Sequence, residues 1–225
     1  MPKAKQQVAV SPPTPKPLAW PAIPPPRAPL SLVEEADGIL VVDNFFPPAL
    51  RKAYLSFLRS AVKLEPPAPP KKGYAARTND RFSLQDEAFA QRLWVDSGLA
   101  KACAGMEGRN GRKPVGLNGN IRIYRYGEGS YFGPHYDDDF FDRSTGATSE
   151  WTLLIYLTGA EDGVVGGETV FYPNPSKKDN GPAILPELKA GRALLHRHGQ
   201  VCSLHEGRLV EKGEKWVLRS DVMFR

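Results

Sequence analysis

Tyr131-Phe132-Gly133-Pro134-His135-Tyr136-Asp137 reads as extended chain that ends in two metal-ligating side chains at alternate positions. Residues two apart on a strand project from the same face, so His135 and Asp137 can grip one ion together. A third donor must come from elsewhere. His205, in Ser203-Leu204-His205-Glu206-Gly207, lies beside a Val-, Leu- and Trp-bearing segment that reads as the final strand. A closed or curved sheet could bring it across. Two imidazoles and one carboxylate cover one face of an octahedron and leave the opposite positions open, as in non-haem iron centres. A catalytic zinc site also uses three protein ligands, but Lys215, the cation ten residues after His205, has no obvious task there. His196 and His198, in Leu194-Leu195-His196-Arg197-His198, are alternatives for the third donor, and Asp139 shares the face of His135 and Asp137.

Working outward, Ile39 to Phe46 reads as a strand, and Pro47-Pro48 opens a helix whose Leu50, Tyr54, Phe57, Leu58 and Val62 follow helical spacing. Pro66 to Lys72 is a proline-rich connection. A second helix is expected from Asp86 to Ala104, with Phe89, Leu93, Trp94 and Leu99 on its buried side. After a basic, Gly-rich loop from Gly108 to Gly116, strands alternate with turns to the carboxyl end. The expected fold class is mainly β with flanking helices: a double-stranded β-helix, jelly-roll or cupin-like, buttressed by helices on one face.

From Asn120 to Arg225 the chain resembles the 2-oxoglutarate- and iron(II)-dependent dioxygenases, most closely their prolyl 4-hydroxylase-like branch. The blocks that carry the resemblance are Tyr126-Gly127-Glu128-Gly129, the His135/Asp137 pair, Trp151 to Leu157, Gly166-Gly167-Glu168-Thr169-Val170-Phe171, and His205-Glu206-Gly207 with Gly213-Glu214-Lys215-Trp216. The resemblance implies that His135, Asp137 and His205 hold Fe(II) and that Lys215 pairs with the distal carboxylate of 2-oxoglutarate. Tyr126, Tyr156 and Thr152 would line that pocket, with Arg219 the alternative anion partner. Dioxygen is the second co-substrate, and ascorbate an accessory reductant. Asp221 stands where relatives often carry a bulky aromatic. The implied activity is hydroxylation of an unactivated C–H bond.

Ala76-Arg77-Thr78-Asn79-Asp80-Arg81-Phe82 sets Arg77, Asn79 and Arg81 on one side of an extended segment, and Arg122 and Tyr124 share parity with Tyr126. With Asp139, these are the candidate substrate-binding residues. Their chemistry suits a carboxylate-bearing substrate or an extended peptide backbone, and equally a solvated edge strand. Gly127, Gly129 and Gly133 suggest a flexible lid.

The first 30 residues hold many of the 22 prolines, carry Lys3, Lys5, Lys16 and Arg27, and contain no acid. They are expected to be a disordered tail ahead of one catalytic domain spanning 31–225. Without them the formal +5 charge falls to near neutral, which weakens any case for a nucleic-acid partner. No apolar run suits a signal peptide or a membrane span, and Cys103 and Cys202 read as reduced thiols, so a cytoplasmic or nuclear setting is expected. That setting points away from collagen. The expected substrate is a prolyl or other residue of an intracellular protein or peptide; a small-molecule substrate is the alternative, and a noncatalytic binding module ranks last.

Overall fold

The computed structural model describes residues 18–69, 72–175 and 182–225. In chain order its elements are β1 (Val33–Ala36), β2 (Ile39–Val42), α1 (Pro48–Ala61), β3 (Asp80–Gln85), α2 (Glu87–Val95), α3 (Leu99–Ala102), β4 (Pro114–Leu117), β5 (Asn120–Tyr126), β6 (Phe132–His135), β7 (Thr148–Tyr156), β8 (Val165–Gly166), β9 (Thr169–Tyr172), β10 (Ala193–Arg197), β11 (Leu204–Gly207), β12 (Val210–Lys212) and β13 (Lys215–Phe224). The large sheet runs β1-β2-β10-β7-β13-β5-β3, with β4 also on β13, and the small sheet runs β6-β11-β9. The expected jelly-roll core is present.

Strand parity splits the interior into two cores. Ile123 on β5, Leu153 and Ile155 on β7, Leu195 on β10 and Trp216 and Leu218 on β13 face one way and pack with Leu58 of α1 and Phe89 and Leu93 of α2. Their neighbours Tyr124, Tyr156, Leu194 and Val217 face the other way, into the barrel between the sheets, where Phe171 of β9 meets them. Because side chains alternate along a strand, one face can build the helix-backed core while the other lines a polar cavity.

Three expectations are corrected. The strand expected to reach Phe46 stops at Val42, because Asn44 takes a left-handed conformation (φ 54°) and turns Phe45 and Phe46 into the helix-side core. The second helix starts as expected, with the Asp86 carboxylate accepting from the Phe89 N–H, but breaks after Val95. Gly98, at φ 82°, begins the short α3 in a geometry that favours glycine.

The third concerns the tail. Residues 1–17 lie outside the described residues, but Trp20 is 5% exposed, stacks on Phe89 with ring centroids 3.9 Å apart, and donates from Nε1 to Asp86 at 2.9 Å. Pro26 then crosses Gly98 so closely that a Cβ there would lie 2.8 Å from its ring. Residues 18–30 therefore belong to the packed structure, since a single buried indole recovers what the surrounding prolines cannot. Trp20→Ala is expected to cost about 3–5 kcal/mol, the usual price of deleting a buried large aromatic. A urea-unfolding loss below about 1 kcal/mol would return the segment to the tail.

Candidate metal and co-substrate site

The small sheet brings the metal-ligating residues together by register: His205 of β11 stands directly opposite His135 of β6. Asp137 follows two residues after His135 and turns its carboxylate between the imidazoles. His135 Nε2 lies 3.7 Å from Asp137 Oδ1, and His205 Nε2 lies 3.6 Å from Oδ2. One donor atom from each of the three falls within 4.8 Å of the others.

Backbone carbonyls set the state of both imidazoles. His135 Nδ1 lies 2.9 Å from the Gly133 carbonyl and His205 Nδ1 lies 2.9 Å from the Ser203 carbonyl. A carbonyl only accepts, so Nδ1 carries a proton in each ring and Nε2 is the atom turned toward a metal. Burial, and then the neighbouring His205, takes His135 down to about 4. At His205 burial acts in the same sense, but the Asp137 carboxylate and Cys202 outweigh it and raise the value to about 9. Burial opposes ionisation of Asp137 too, yet Arg219 holds it well below the ordinary carboxylate range. Metal-free His205 thus holds a second proton, on the Nε2 beside Asp137, which an incoming cation must displace; the donor set is then two imidazoles and an anionic carboxylate, chemistry that fits a ferrous ion with open positions.

Arg219 and Thr152 occupy places other than those expected. Arg219 forks onto Asp137, NH1 to Oδ1 at 3.1 Å and NH2 to Oδ2 at 3.0 Å, so it is committed to this carboxylate rather than to the far end of the cavity. Thr152 donates to Asp137 Oδ2 at 3.0 Å and lies 2.9 Å from His198 Nδ1, so it braces the carboxylate and is removed from the co-substrate pocket. His198 stands behind Thr152. Arg219 also lies 3.4 Å from Asp221, whose other oxygen receives Arg122 at 2.9 Å. Asp221, noted in the sequence for its unusual position, is thus the shared counterion of two arginines.

Lys215 opens β13 opposite Tyr126 of β5, is 2% exposed, and points into the cavity that holds His135, Asp137 and His205. Its Nζ donates to the Gly167 carbonyl at 2.6 Å and lies 5.1 Å from the Tyr126 ring and 5.4 Å from the Tyr156 ring. Among the described residues no carboxylate forms an ion pair with it, and burial lowers its pKa to about 8. Tyr126 lines that cavity as expected, but Tyr156, fully buried and donating its hydroxyl to Thr169 at 2.8 Å, stands behind the lining rather than in it.

Of the proposed substrate residues, Tyr124 lines the cavity. Arg77 lies beside it, its guanidinium 4.9 Å above the Phe132 ring, which stacks on His135 at 3.6 Å. Arg81 is half-buried on β3, whose backbone pairs with Glu65. Asn79 is fully buried and donates to the Asp80 carbonyl, so it cannot meet a substrate from solution. Asp139 is exposed and tied to Arg109, away from the cavity lining. The glycines read as a lid are also tied down: Gly129 donates its N–H to the Val210 carbonyl and Gly133 to that of Ala76, each at 2.8 Å.

Two neighbours of the site had no strong sequence signal. The Asp137 N–H donates to Cys202 Sγ at 3.3 Å, and that sulfur lies 3.8 Å from His205 Nδ1. His196, weighed as an alternative ligand, points into the same cavity, where burial and then His205 hold it neutral.

Residues 121–220 match the family model described as the 2OG-Fe(II) oxygenase superfamily. No curated protein matches the chain in sequence. Among solved structures, a Pseudomonas putida prolyl-4-hydroxylase aligns with a TM-score of 0.56 at 17% identity, covering 84% of this chain and 93% of that one. A Trichoplax adhaerens prolyl hydroxylase in complex with a hypoxia inducible factor peptide fragment gives 0.59 at 16%, covering 83% and 84%. The viral collagen prolyl hydroxylase of Paramecium Bursaria Chlorella virus-1, in complex with 2OG, gives 0.51 at 18%, covering 83% and 96%. No helix among the described residues is long and apolar enough to cross a membrane. The matching segment, residues 121–220, and the jelly-roll core are thus similar to the 2OG-Fe(II) oxygenase superfamily, whose enzymes use Fe(II), 2-oxoglutarate and dioxygen.

Proposed function

We propose that this chain hydroxylates an unactivated C–H bond of a prolyl residue in a protein or peptide, with His135, Asp137 and His205 holding Fe(II) and Lys215 pairing with the far carboxylate of 2-oxoglutarate. The observation that carries the reading is Lys215: a buried cation that, among the described residues, forms no ion pair and donates to a backbone carbonyl, sharing one cavity with three convergent donors. Burying an unpaired charge is costly, and a dicarboxylate that reaches from the donors to Lys215 would supply the missing anion. Bound Fe(II), with 2-oxoglutarate and dioxygen, supplies the oxidising power.

The protein's own part is orientation and shielding. The Gly133 and Ser203 carbonyls keep Nε2 of both imidazoles turned inward, while Arg219 and Thr152 hold Asp137 from behind. Tyr126, Tyr124 and Val217 wall the cavity beside Lys215 and keep water from it. The fold shared with the Trichoplax enzyme, which holds a peptide, supports a peptide substrate.

One observation favours a second reading. Arg77 makes no ion pair among the described residues, although it is half-buried beside Tyr124, Tyr126 and Arg219. A free carboxylate on a small substrate would satisfy it. Succinate release measured with proline-rich peptides, and in parallel with free amino acids and their amides, separates the two. Peptide turnover should add about 16 Da, one oxygen atom, to a prolyl residue. Turnover confined to free acids, and lost for their amides, would replace the peptide reading.

A further inference from the structure

Cys202 is a half-buried free thiol that the proposed reaction does not use. Its sulfur lies 3.8 Å from His205 Nδ1, the ring nitrogen that does not face the Asp137 carboxylate. His196 completes a triangle: one donor atom from each of His196, Cys202 and His205 falls within 4.8 Å of the other two. This group shares His205 with the His135 and Asp137 group and has no other member in common with it.

The two groups differ in chemistry. Two imidazoles and a carboxylate suit a ferrous ion, whereas two imidazoles and a thiolate are the softer donor set that selects tetrahedral zinc and ions like it. Donors of one such ion, at bond lengths of about 2.0 to 2.3 Å, stand roughly 3 to 4 Å apart. The sulfur and His205 Nδ1 already stand at that separation. The Asp137 N–H donates to the same sulfur at 3.3 Å, and a backbone donor there stabilises a thiolate as outer partners of metal ligands do. His196 also lines a second cavity, with Ile39, Phe171, Val201 and Ser203, which gives an ion a route to this group that does not pass His135.

We propose that His196, Cys202 and His205 form a second metal site, for a thiophilic ion such as Zn(II), and that filling it shuts the iron site. The competition rests on the iron reading of His135, Asp137 and His205; the thiolate site does not. A neutral imidazole offers one lone pair. Iron at His205 Nε2 requires the proton on Nδ1, where the Ser203 carbonyl accepts it at 2.9 Å. A soft ion at Nδ1 requires it on Nε2, beside the Asp137 carboxylate 3.6 Å away. The two ions therefore exclude one another. On soft-ion binding the Cys202 thiol proton and the His205 Nδ1 proton leave to solvent, the ion takes the two freed lone pairs and that of His196, and no electron is transferred.

The test uses the full chain with Cd(II) as the probe, because thiolate-to-cadmium absorbance in the ultraviolet reports the sulfur. In His135→Ala, one Cd(II) is expected to bind with that absorbance. Adding Cys202→Ser should abolish the absorbance and weaken Cd(II) about 10- to 100-fold, and adding His196→Phe instead should weaken it similarly with the absorbance kept. In the wild type, held anaerobically, each Cd(II) bound should release one Fe(II). Cys202→Ser alone should keep its Fe(II) affinity and need about tenfold more Cd(II) for the same release. The proposal is overturned by a His135→Ala protein without thiolate absorbance, by unchanged Cd(II) affinity on adding Cys202→Ser or a folded His196→Phe, or by both ions bound at once. If the His196→Phe protein does not fold, cadmium-coupled imidazole nitrogens counted by NMR in His135→Ala decide: two are expected, and fewer overturn the site. Fe(II) retained by His135→Ala would sink the iron reading instead, while the Cd(II) spectrum of that variant judges the thiolate site by itself.

Discussion

Asp137→Ala is expected to lose Fe(II) binding and, separately, about 3–5 kcal/mol of stability in the metal-free protein, the usual cost of removing one partner of a buried ion pair. The Arg219 guanidinium is buried and forks onto both Asp137 oxygens. Without that carboxylate it keeps only Asp221, which Arg122 already occupies on its other oxygen. His135→Ala should lose the metal with a much smaller stability change, because His135 has no such buried partner. Anaerobic Fe(II) calorimetry and urea unfolding read the two effects apart. Adding Arg219→Met to Asp137→Ala should recover much of the stability and none of the metal. The pH dependence has a definite sign: Asp137 titrates below its ordinary range in the folded protein, so its contribution is present above that range and is lost as pH falls through the folded value. Equal stability of Asp137→Ala and His135→Ala would mean that the Arg219 fork contributes little.

Lys215→Met is expected to separate stability from function in the opposite direction. Affinity for 2-oxoglutarate should fall by about 100-fold or more, in line with losing a buried charge-assisted contact. The co-substrate-free protein should gain on the order of 1–3 kcal/mol, because a buried, unpaired ammonium is replaced by hydrocarbon of similar length. Iron binding should persist, since Lys215 is no donor. In the wild type, burial lowers Lys215 to about 8, below its unfolded value. The folded state therefore binds fewer protons between that value and the unfolded one, and stability attributable to this group rises with pH through that window. Affinity for 2-oxoglutarate should move the other way and weaken above about pH 8 as the ammonium is lost. Calorimetric titration from pH 6.5 to 9.5 checks this, and an unchanged co-substrate affinity in Lys215→Met would transfer the anchoring role to another cation.

Much of the architecture was legible because alternation is a local property. Once Ile123, Leu153, Leu195 and Leu218 are read as facing one way, Tyr124, Thr152, His196 and Arg219 must face the other, and the barrel lining follows. Strand parity paired His135 with Asp137, and the resemblance added His205 and Lys215; the structure places all four around one cavity. Less legible were the contacts whose meaning depends on a distant partner. Arg219 and Lys215 lie on one face of the same strand, and composition cannot tell which of them meets a protein carboxylate and which is left for a ligand. Asn79 and Asp139 have suitable chemistry and parity, yet one is sealed in the interior and the other is drawn off by Arg109.

The sequence by itself determined the strand faces, the donor types and the helix-backed core, because each follows from short-range periodicity and from what a side chain can chemically do. Only the tertiary structure decided that Trp20 locks a proline-rich segment against α2 and that Thr152 and Arg219 brace Asp137. It also decided that His196 turns its Nε2 toward Asp137. The physical reason is that hydrogen bonds and ion pairs act over a few ångströms, and those distances between residues far apart in the chain exist only once both sheets have closed.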